Sequence, residues 1–150
     1  MRRTAESGLR WYLPFTMADP VVGALLSKKR MLRKVETLLR GKATFHAFPS
    51  WSELTAFVAN GHVDAAFLDP QVDADANWKD RLLHLEGLGR HQVILYTDLT
   101  PEIAAMLLDL ARTGVREVVF SRLDDRAQRL HQALVSAGVA LPDEPPWYAC

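Results

Sequence analysis

The sequence predicts an α/β protein in which a parallel five-stranded sheet is covered by helices on both faces. Short apolar runs alternate with helical segments along the chain. The run VILY at residues 93–96 is continuously apolar, as expected of a strand buried on both faces. The 150 residues suffice for one domain, which we place at residues 11–138, between a flexible N-terminal arm (1–10) and an irregular C-terminal tail (139–150).

The first unit of this alternation is expected to be a strand at residues 11–17 followed by a long helix. Asp19 is a suitable N-cap for that helix, which should run to about residue 40. Lys28 falls in the middle of the apolar face of this helix, and this predicts a bend near Ser27.

The later elements are bounded by cap and turn residues, such as the capping box that Ser50 and Glu53 form and the cap at Thr100. Strands are predicted at 44–48, 63–69, 92–97 and 117–120, and helices at 50–60, 78–85, 100–112 and 124–136. The core should consist of apolar residues from the strands and the first helix: Leu25, Leu32, Val35, Phe67, Leu68, Val93, Ile94, Leu95, Val118 and Val119.

Charge and composition exclude several classes of protein. Lys plus Arg equals Asp plus Glu, at 18 each, so net charge indicates neither a nucleic-acid nor a membrane partner. The single cysteine, Cys150, permits no disulfide framework, and the five histidines lack metal-ligand spacing. Without a spanning apolar run or a secretory signal, we expect a cytoplasmic protein.

A basic stretch at residues 28–42 allows two interpretations. It could be a surface for nucleic acid or for an acidic partner. It could equally be a solvated helix face, which we favour because no aromatic side chains interleave with the cations.

The strand predicted at 63–69 delivers a carboxylate, Asp69, to its C-terminal tip, directly before Pro70. Asp commonly opens a turn at such a position. In an open α/β sheet, however, the ligand crevice lies beyond the carboxyl ends of the strands, so Asp69 is also a candidate functional residue. Thr97 ends the following strand in the same way.

These features resemble the receiver domains of response regulators. The resemblance rests on AFLDP at 66–70, VILYT at 93–97 and ARTGVREVVF at 111–120, and covers roughly residues 10–138. It implies a flavodoxin-like (βα)5 three-layer sandwich with strand order 2-1-3-4-5. It also places Asp69 at the position of the phosphoacceptor.

The chain departs from the receiver pattern where the metal should bind. Receivers use an acidic pair at the end of strand one to hold Mg²⁺, which prefers hard oxygen ligands. Aligned on the predicted first strand, Met17 and Ala18 occupy those positions. Asp19 follows one residue later, better placed to cap a helix than to bind metal.

The chain also departs from the pattern after strand five. Ser121 stands where receivers have a lysine that pairs with the phosphoryl group, and Arg122 stands where a proline usually follows. Val118 replaces the switch aromatic. Without these charges the phosphoryl group would be poorly compensated, so the chain resembles a degenerate pseudo-receiver.

The favoured function is a non-catalytic, phosphorylation-independent regulatory module of signal transduction or transcription, which binds a protein partner or a second copy of itself. The resemblance implies a DNA-binding domain in a longer chain, with no direct nucleic-acid contact by this domain. The predicted surface joins the helix after Thr100, strand five and the last helix. It includes charged residues of both signs, which could pair across the two-fold axis of a homodimer: Arg112, Arg116, Glu117, Asp124 and Asp125.

Two alternatives remain open at this point. The first is an active phosphoacceptor with an atypical pocket, in which Asp19 and Asp69 would hold Mg²⁺ beside Thr97. The second is a small-ligand binder at the same crevice, because fold alone does not fix function. The favoured interpretation requires no metal and no cofactor.

Overall fold

The computed structural model describes residues 19–72, 78–83 and 85–141, with the backbone alone at residues 78, 79 and 83. Five strands form one sheet: β1 (Val21–Leu25), β2 (Thr44–Ala47), β3 (Ala65–Leu68), β4 (Val93–Thr97) and β5 (Glu117–Phe120). Five helices connect or follow them: α1 (Lys29–Leu39), α2 (Trp51–Asn60), α3 (Trp78–Leu83), α4 (Pro101–Arg112) and α5 (Ala127–Ser136).

The order of the strands is β2-β1-β3-β4-β5, and every pair is parallel. This confirms the predicted fold class and strand order. Because all strands run the same way, their carboxyl ends meet at one edge of the sheet, and that edge carries the candidate site. No helix in the described part of the chain is long and apolar enough to cross a membrane.

The prediction for the first unit was wrong. Residues 21–25 were predicted to be helical, but they form β1, paired through Val22 with Ala65 and through Leu25 with Leu68. Helix α1 begins only at Lys29. The apolar run in this region satisfies a helical period as well as a strand, and pairing with two neighbouring strands decides between them. The strand predicted at 11–17 lies outside the described residues.

Apolar side chains fill both faces of the sheet. Phe67, Ile94 and Val119 pack towards α1 and α5, whereas Leu68 and Leu95 pack towards the other helices. Of the ten predicted core residues, Leu32 and Val118 are only partly buried. The other eight are buried: Leu25, Val35, Phe67, Leu68, Val93, Ile94, Leu95 and Val119. Val139 also lies in the core, so the packed unit continues past the boundary predicted at residue 138.

Two predicted helix starts are confirmed and one is corrected. The hydroxyl of Ser50 accepts the Glu53 N–H at 3.3 Å, and that of Thr100 accepts the Ile103 N–H at 3.1 Å. Helix α5 begins at residue 127 rather than at Asp124. The Asp124 carboxylate instead accepts the N–H of Phe120 at 2.7 Å, which closes the turn after β5.

Candidate functional site

Asp69 lies directly after β3, and its side chain is completely buried. One carboxylate oxygen, Oδ1, accepts the Gln71 N–H at 2.9 Å and the Thr97 hydroxyl at 2.7 Å. The other, Oδ2, accepts the Ser27 N–H at 3.3 Å and the Ser27 hydroxyl. A carboxylate offers about four lone-pair sites, so these four hydrogen bonds occupy its full accepting capacity. Asp69 is therefore both a turn residue and the centre of a polar cluster.

The structure brings Thr97 to Asp69, as the sequence predicted, but it does not bring Asp19 there. Asp19 is exposed and precedes β1, so it lies at the opposite edge of the parallel sheet. The assignment of Asp19 to the pocket was wrong because it depended on the misplaced first strand. Met17 and Ala18 lie outside the described residues.

The segment that follows β1 lies at the sheet edge where the carboxyl ends of the strands meet, and it consists of Leu26, Ser27 and Lys28. Sequence reasoning missed this contribution of Ser27 because it placed residues 21–40 in one helix. The register of β1 against β3, with Leu25 opposite Leu68, makes Ser27 a neighbour of Asp69.

Lys28 pairs with Asp98, the residue directly after Thr97. The Lys28 ammonium donates to Oδ2 of Asp98 across the end of the sheet. This hydrogen bond is the main reason that the pKa of Asp98 lies below its ordinary value, and it outweighs partial burial, which acts in the opposite direction. The pair places a cation beside the cluster, at a position that the sequence analysis assigned to a helix interior.

The Mg²⁺ that the fold family implies does not fit these residues. Mg²⁺ needs several hard oxygen ligands in octahedral geometry. The segment after β1 offers Leu26, Ser27 and Lys28, of which one is apolar and one is a cation. Across residues 19–72, 78–83 and 85–141, no three His, Cys, Asp or Glu side chains are placed together to hold a metal ion.

A second polar cluster surrounds Asp125, below the ends of β4 and β5. The Tyr96 hydroxyl donates to Oδ2 of Asp125 at 2.6 Å. Arg30 Nη1 lies 3.3 Å from the same oxygen, and Lys34 Nζ lies 3.7 Å from Oδ1. Two cations of α1 and a phenol thus converge on one carboxylate that is 5% exposed.

This environment shifts the pKa of both acids in the cluster. Burial acts to raise the pKa of Asp125. The hydrogen bonds from the Tyr96 hydroxyl and the Arg122 backbone N–H, together with the charges of the two cations, outweigh it, so the pKa lies below its ordinary value. Burial, followed by the hydrogen bond to Asp125, raises the pKa of the Tyr96 hydroxyl strongly. Asp125 is therefore a structural acid, and its assignment to the interaction surface was wrong because the side chain is buried.

Ser121 and Arg122 follow β5, and they differ in burial and in hydrogen bonding. Ser121 is buried and accepts a hydrogen bond from Nη2 of Arg30, so the cation nearest to it comes from α1. The Nε of Arg30 is buried without a hydrogen-bond partner. Arg122 is exposed and has a left-handed φ of 71°. No hydrogen bond or ion pair joins Arg122 to Asp69 in the described structure.

The other charged residues of the predicted interaction surface largely have partners within the chain. Arg129 lies 2.9 Å from Glu117 and 3.7 Å from Asp124. Arg112 lies 3.8 Å from Asp109, one helical turn away. Arg116 is exposed.

Comparison with known proteins identifies the fold. No protein-family model and no curated protein matches the chain. Among solved structures, it is similar to the N-terminal signal receiver domain of a two-component response regulator from Bacteroides fragilis, with a TM-score of 0.65, 16% identity, and coverage of 82% of this chain and 99% of that one.

Two further structures show the same likeness. A response regulator receiver domain from Clostridium thermocellum has a TM-score of 0.61, 20% identity, and coverage of 79% of this chain and 93% of that one. A signal receiver domain of a modulated diguanylate cyclase from Desulfovibrio desulfuricans G20 has a TM-score of 0.63, 13% identity, and coverage of 80% and 94%. The chain therefore has the flavodoxin-like fold of response-regulator receiver domains.

Proposed function

We propose that this chain is a non-catalytic, receiver-like signalling module that acts through protein–protein contacts and does not accept a phosphoryl group on Asp69. The observation that carries the proposal is the saturation of the Asp69 carboxylate. Its two oxygens accept four hydrogen bonds and the side chain is fully buried. A nucleophile must present a lone pair to its electrophile, and here both oxygens are engaged.

Charge supports the same proposal. Phosphoryl transfer needs compensation for negative charge that develops on the transferred oxygens. Two cations near the sheet edge already pair with other groups, since Lys28 pairs with Asp98 and Arg30 with Ser121 and Asp125. The residues after β1 do not fit Mg²⁺, as described above.

For the interaction surface we propose the outer face of α4. Its exposed or partly exposed residues at 104, 107, 108 and 111 are Ala, Leu, Leu and Ala, spaced as one helical stripe. Leu108 is 63% exposed and Leu123, after β5, is 67% exposed. Such a stripe favours a partner, and a second copy is the simplest one because a two-fold interface needs only one self-complementary patch.

This version of the surface differs from the charge pairing predicted from sequence. Asp125 is buried, and Glu117 and Asp124 lie beside Arg129 of the same chain. Apolar contact through α4 therefore replaces pairing of opposite charges across the two-fold axis as the proposed source of association.

The decisive experiment is incubation of the full chain with Mg²⁺ and acetyl phosphate, followed by intact-mass measurement. We expect no phosphorylated species. A mass increase of one phosphoryl group that disappears in Asp69→Asn would overturn the proposal. The α4 surface is tested separately by sedimentation equilibrium, in which Leu108→Glu should dissociate a dimer whereas Val135→Glu, an equally apolar exposed position on α5, should not.

The wider setting is part of the proposal. A DNA-binding domain in a longer chain, a role in transcription regulation and a cytoplasmic location accord with the receiver fold. Whether the open reading frame of the gene also encodes a DNA-binding domain tests the first two of these proposals. Fractionation of cells tests the location.

A further inference from the structure

The two edges of the sheet differ in how their backbone groups are satisfied. Strand β5 forms one edge and β2 forms the other. An edge strand exposes N–H and C=O groups that can pair with a further strand, and proteins usually block such groups. In this chain the edge at β5 is largely blocked, whereas the edge at β2 is open.

Side chains and a turn of the same chain close the β5 edge. The Ser121 N–H donates to β4, so Val118 and Phe120, which stand at alternate positions, turn their backbone groups outward. The Val118 carbonyl oxygen accepts from Nη2 of Arg129 at 3.2 Å. The Phe120 N–H donates to the Asp124 carboxylate at 2.7 Å, and its carbonyl oxygen accepts the Asp124 N–H at 3.1 Å. Three of these four outward groups therefore have a partner.

The outward groups of β2 have no such partner. The N–H groups of Thr44 and Phe48 each donate to a carbonyl oxygen on the β1 side at 2.8 Å, so those of Phe45 and Ala47 point away from the sheet. No hydrogen bond in the described part of the chain reaches the outward N–H or C=O of Phe45 or Ala47. Thr44 and Ala47 are exposed, and β2 contains neither proline nor lysine, which commonly protect an edge.

Aromatic side chains border this open edge. On the face that α2 covers, the His46 ring lies 4.6 Å from the ring of Phe57 and 6.3 Å from the ring of Phe48. The two phenyl rings are 5.2 Å apart, and all three side chains are partly exposed. On the opposite face, Phe45 is partly exposed and packs against the core beside α1. A further strand would therefore meet apolar surface on both faces.

We propose that the open edge of β2 is a docking site for an extended segment of a partner protein, which adds to the sheet as an antiparallel sixth strand. In an antiparallel pair, opposite residues can exchange both of their backbone hydrogen bonds. Segment residues opposite Phe45 and Ala47 would thus satisfy all four open groups. In this mode of recognition, backbone hydrogen bonds provide affinity and alternate side chains provide specificity.

The aromatic border defines the chemistry of the segment. The residue between the two hydrogen-bonded positions lies opposite His46 and on the same face of the sheet, where its side chain would contact His46 and Phe57. Aromatic and β-branched side chains make the favourable cross-strand pairs with an aromatic neighbour. The segment is therefore short and extended, with an aromatic or branched aliphatic residue at its centre.

A second copy of the chain fits this edge less well. Two β2 strands that satisfied all four groups about a two-fold axis would place His46 opposite His46 of the other copy, with the Cα atoms about 4.5 Å apart. Two like groups directly opposite each other repel when both are protonated. A partner strand with an apolar centre avoids this conflict.

This surface goes beyond the proposed function, and it lies at the other edge of the sheet from β5. Neither Asp69 nor Leu108 takes part in it. Phosphorylation of Asp69, or failure of the α4 contact, would overturn the proposed function and leave the β2 edge unaffected.

The binding test uses the full chain and a fluorescein-labelled peptide, Lys-Thr-Val-Thr-Val-Thr-Glu, read by fluorescence polarisation. We expect wild type to bind. Ala47→Pro removes an outward N–H and places a ring in the path of the added strand, while the groups that pair with β1 remain. It should weaken binding about tenfold or more, since one hydrogen bond accounts for about a factor of ten.

The matched control is Ala47→Thr, which changes the same exposed side chain but keeps the N–H. It should bind within about twofold of wild type. Equal weakening in both variants would assign the effect to the side chain and overturn the proposal. Absence of binding by wild type would also overturn it.

Amide hydrogen exchange of the wild type, read by NMR, tests the same site without any substitution. In the free chain, the N–H groups of Phe45 and Ala47 should exchange faster than that of His46, which faces β1. The peptide should slow exchange at Phe45 and Ala47. Protection confined to other residues would overturn the proposal. Slow exchange of both groups in the free chain, together with a dimer in sedimentation that Ala47→Pro abolishes, would identify a second copy as the occupant and overturn it too.

Discussion

Ser27 is joined to Asp69, 42 residues further along the chain, by two hydrogen bonds, one from its backbone N–H and one from its hydroxyl. Both hydrogen bonds go to the same oxygen, Oδ2, while the Thr97 hydroxyl and the Gln71 N–H donate to the other oxygen, Oδ1. A serine two residues after β1 thus donates to a buried carboxylate, in a segment where the receiver resemblance leads one to expect acids.

The first prediction concerns the stability that Ser27 provides. Ser27→Ala removes the hydroxyl donor to a buried carboxylate, and hydrogen bonds to charged groups contribute about 1.5–3 kcal/mol. We expect a loss in this range in the free energy of urea unfolding. Ser52→Ala, at an exposed position on α2, is the control and should change stability by less than about 0.5 kcal/mol. Equal effects would contradict the role assigned to Ser27.

The second prediction concerns Mg²⁺. Millimolar Mg²⁺ should not change the melting temperature of the wild type, because the site lacks oxygen ligands of the required kind. Ser27→Asp adds a carboxylate beside Asp69 and should make stability depend on Mg²⁺. A ligand at a hundredfold excess over its Kd adds about 2.7 kcal/mol, which a thermal melt detects readily. A clear Mg²⁺ response of the wild type that is lost in Asp69→Ala would contradict this interpretation.

The third prediction concerns the Tyr96–Asp125 hydrogen bond. Tyr96→Phe keeps the ring but removes the donor to a buried carboxylate, and should cost about 1.5–3 kcal/mol near neutral pH. The double variant with Asp125→Asn should lose less than the sum of the two single losses, because both substitutions break the same contact. Strict additivity would contradict a direct interaction.

The pH dependence of this pair has a definite sign. Because the folded-state pKa of Asp125 is lowered, its contribution is complete above the ordinary Asp pKa of about 3.9 and is lost as pH falls below it. Because the folded-state pKa of Tyr96 is raised, its contribution is complete below about 10 and is lost as pH rises above it. Tyr96→Phe should remove the alkaline loss, which denaturation at several pH values can measure.

The fourth prediction concerns the first turn of α1. Lys29→Glu replaces a cation by an acid near the positive end of the helix, an exchange that contributes about 0.3–1 kcal/mol at low salt. We expect greater stability by this amount, decreasing as salt is added. Arg116→Glu, at an exposed position before β5, makes the same change of charge outside that turn, and an equal gain there would assign the effect to net charge instead.

The sequence alone determined the parts of this protein that local rules govern. The capping residues Ser50 and Thr100 act within three residues of themselves, and the continuously apolar run of β4 is typical of a strand buried on both faces. The alternation of such elements predicted a parallel sheet, and the resemblance to receiver domains implied the order 2-1-3-4-5 that the structure has. The proximity of Asp69 and Thr97 could be predicted because they lie at the carboxyl ends of two neighbouring strands, β3 and β4.

The tertiary structure decided what depends on contacts between distant segments. Residues 21–25 have the periodicity of a helix as well as a strand, and only pairing with β2 and β3 makes them β1. That single change moves Ser27 to Asp69 and Asp19 to the far edge of the sheet. Asp125 likewise resembles an exposed helix cap until packing places Tyr96, 29 residues earlier, against it. Such contacts arise from strand register, and periodicity carries no information about register.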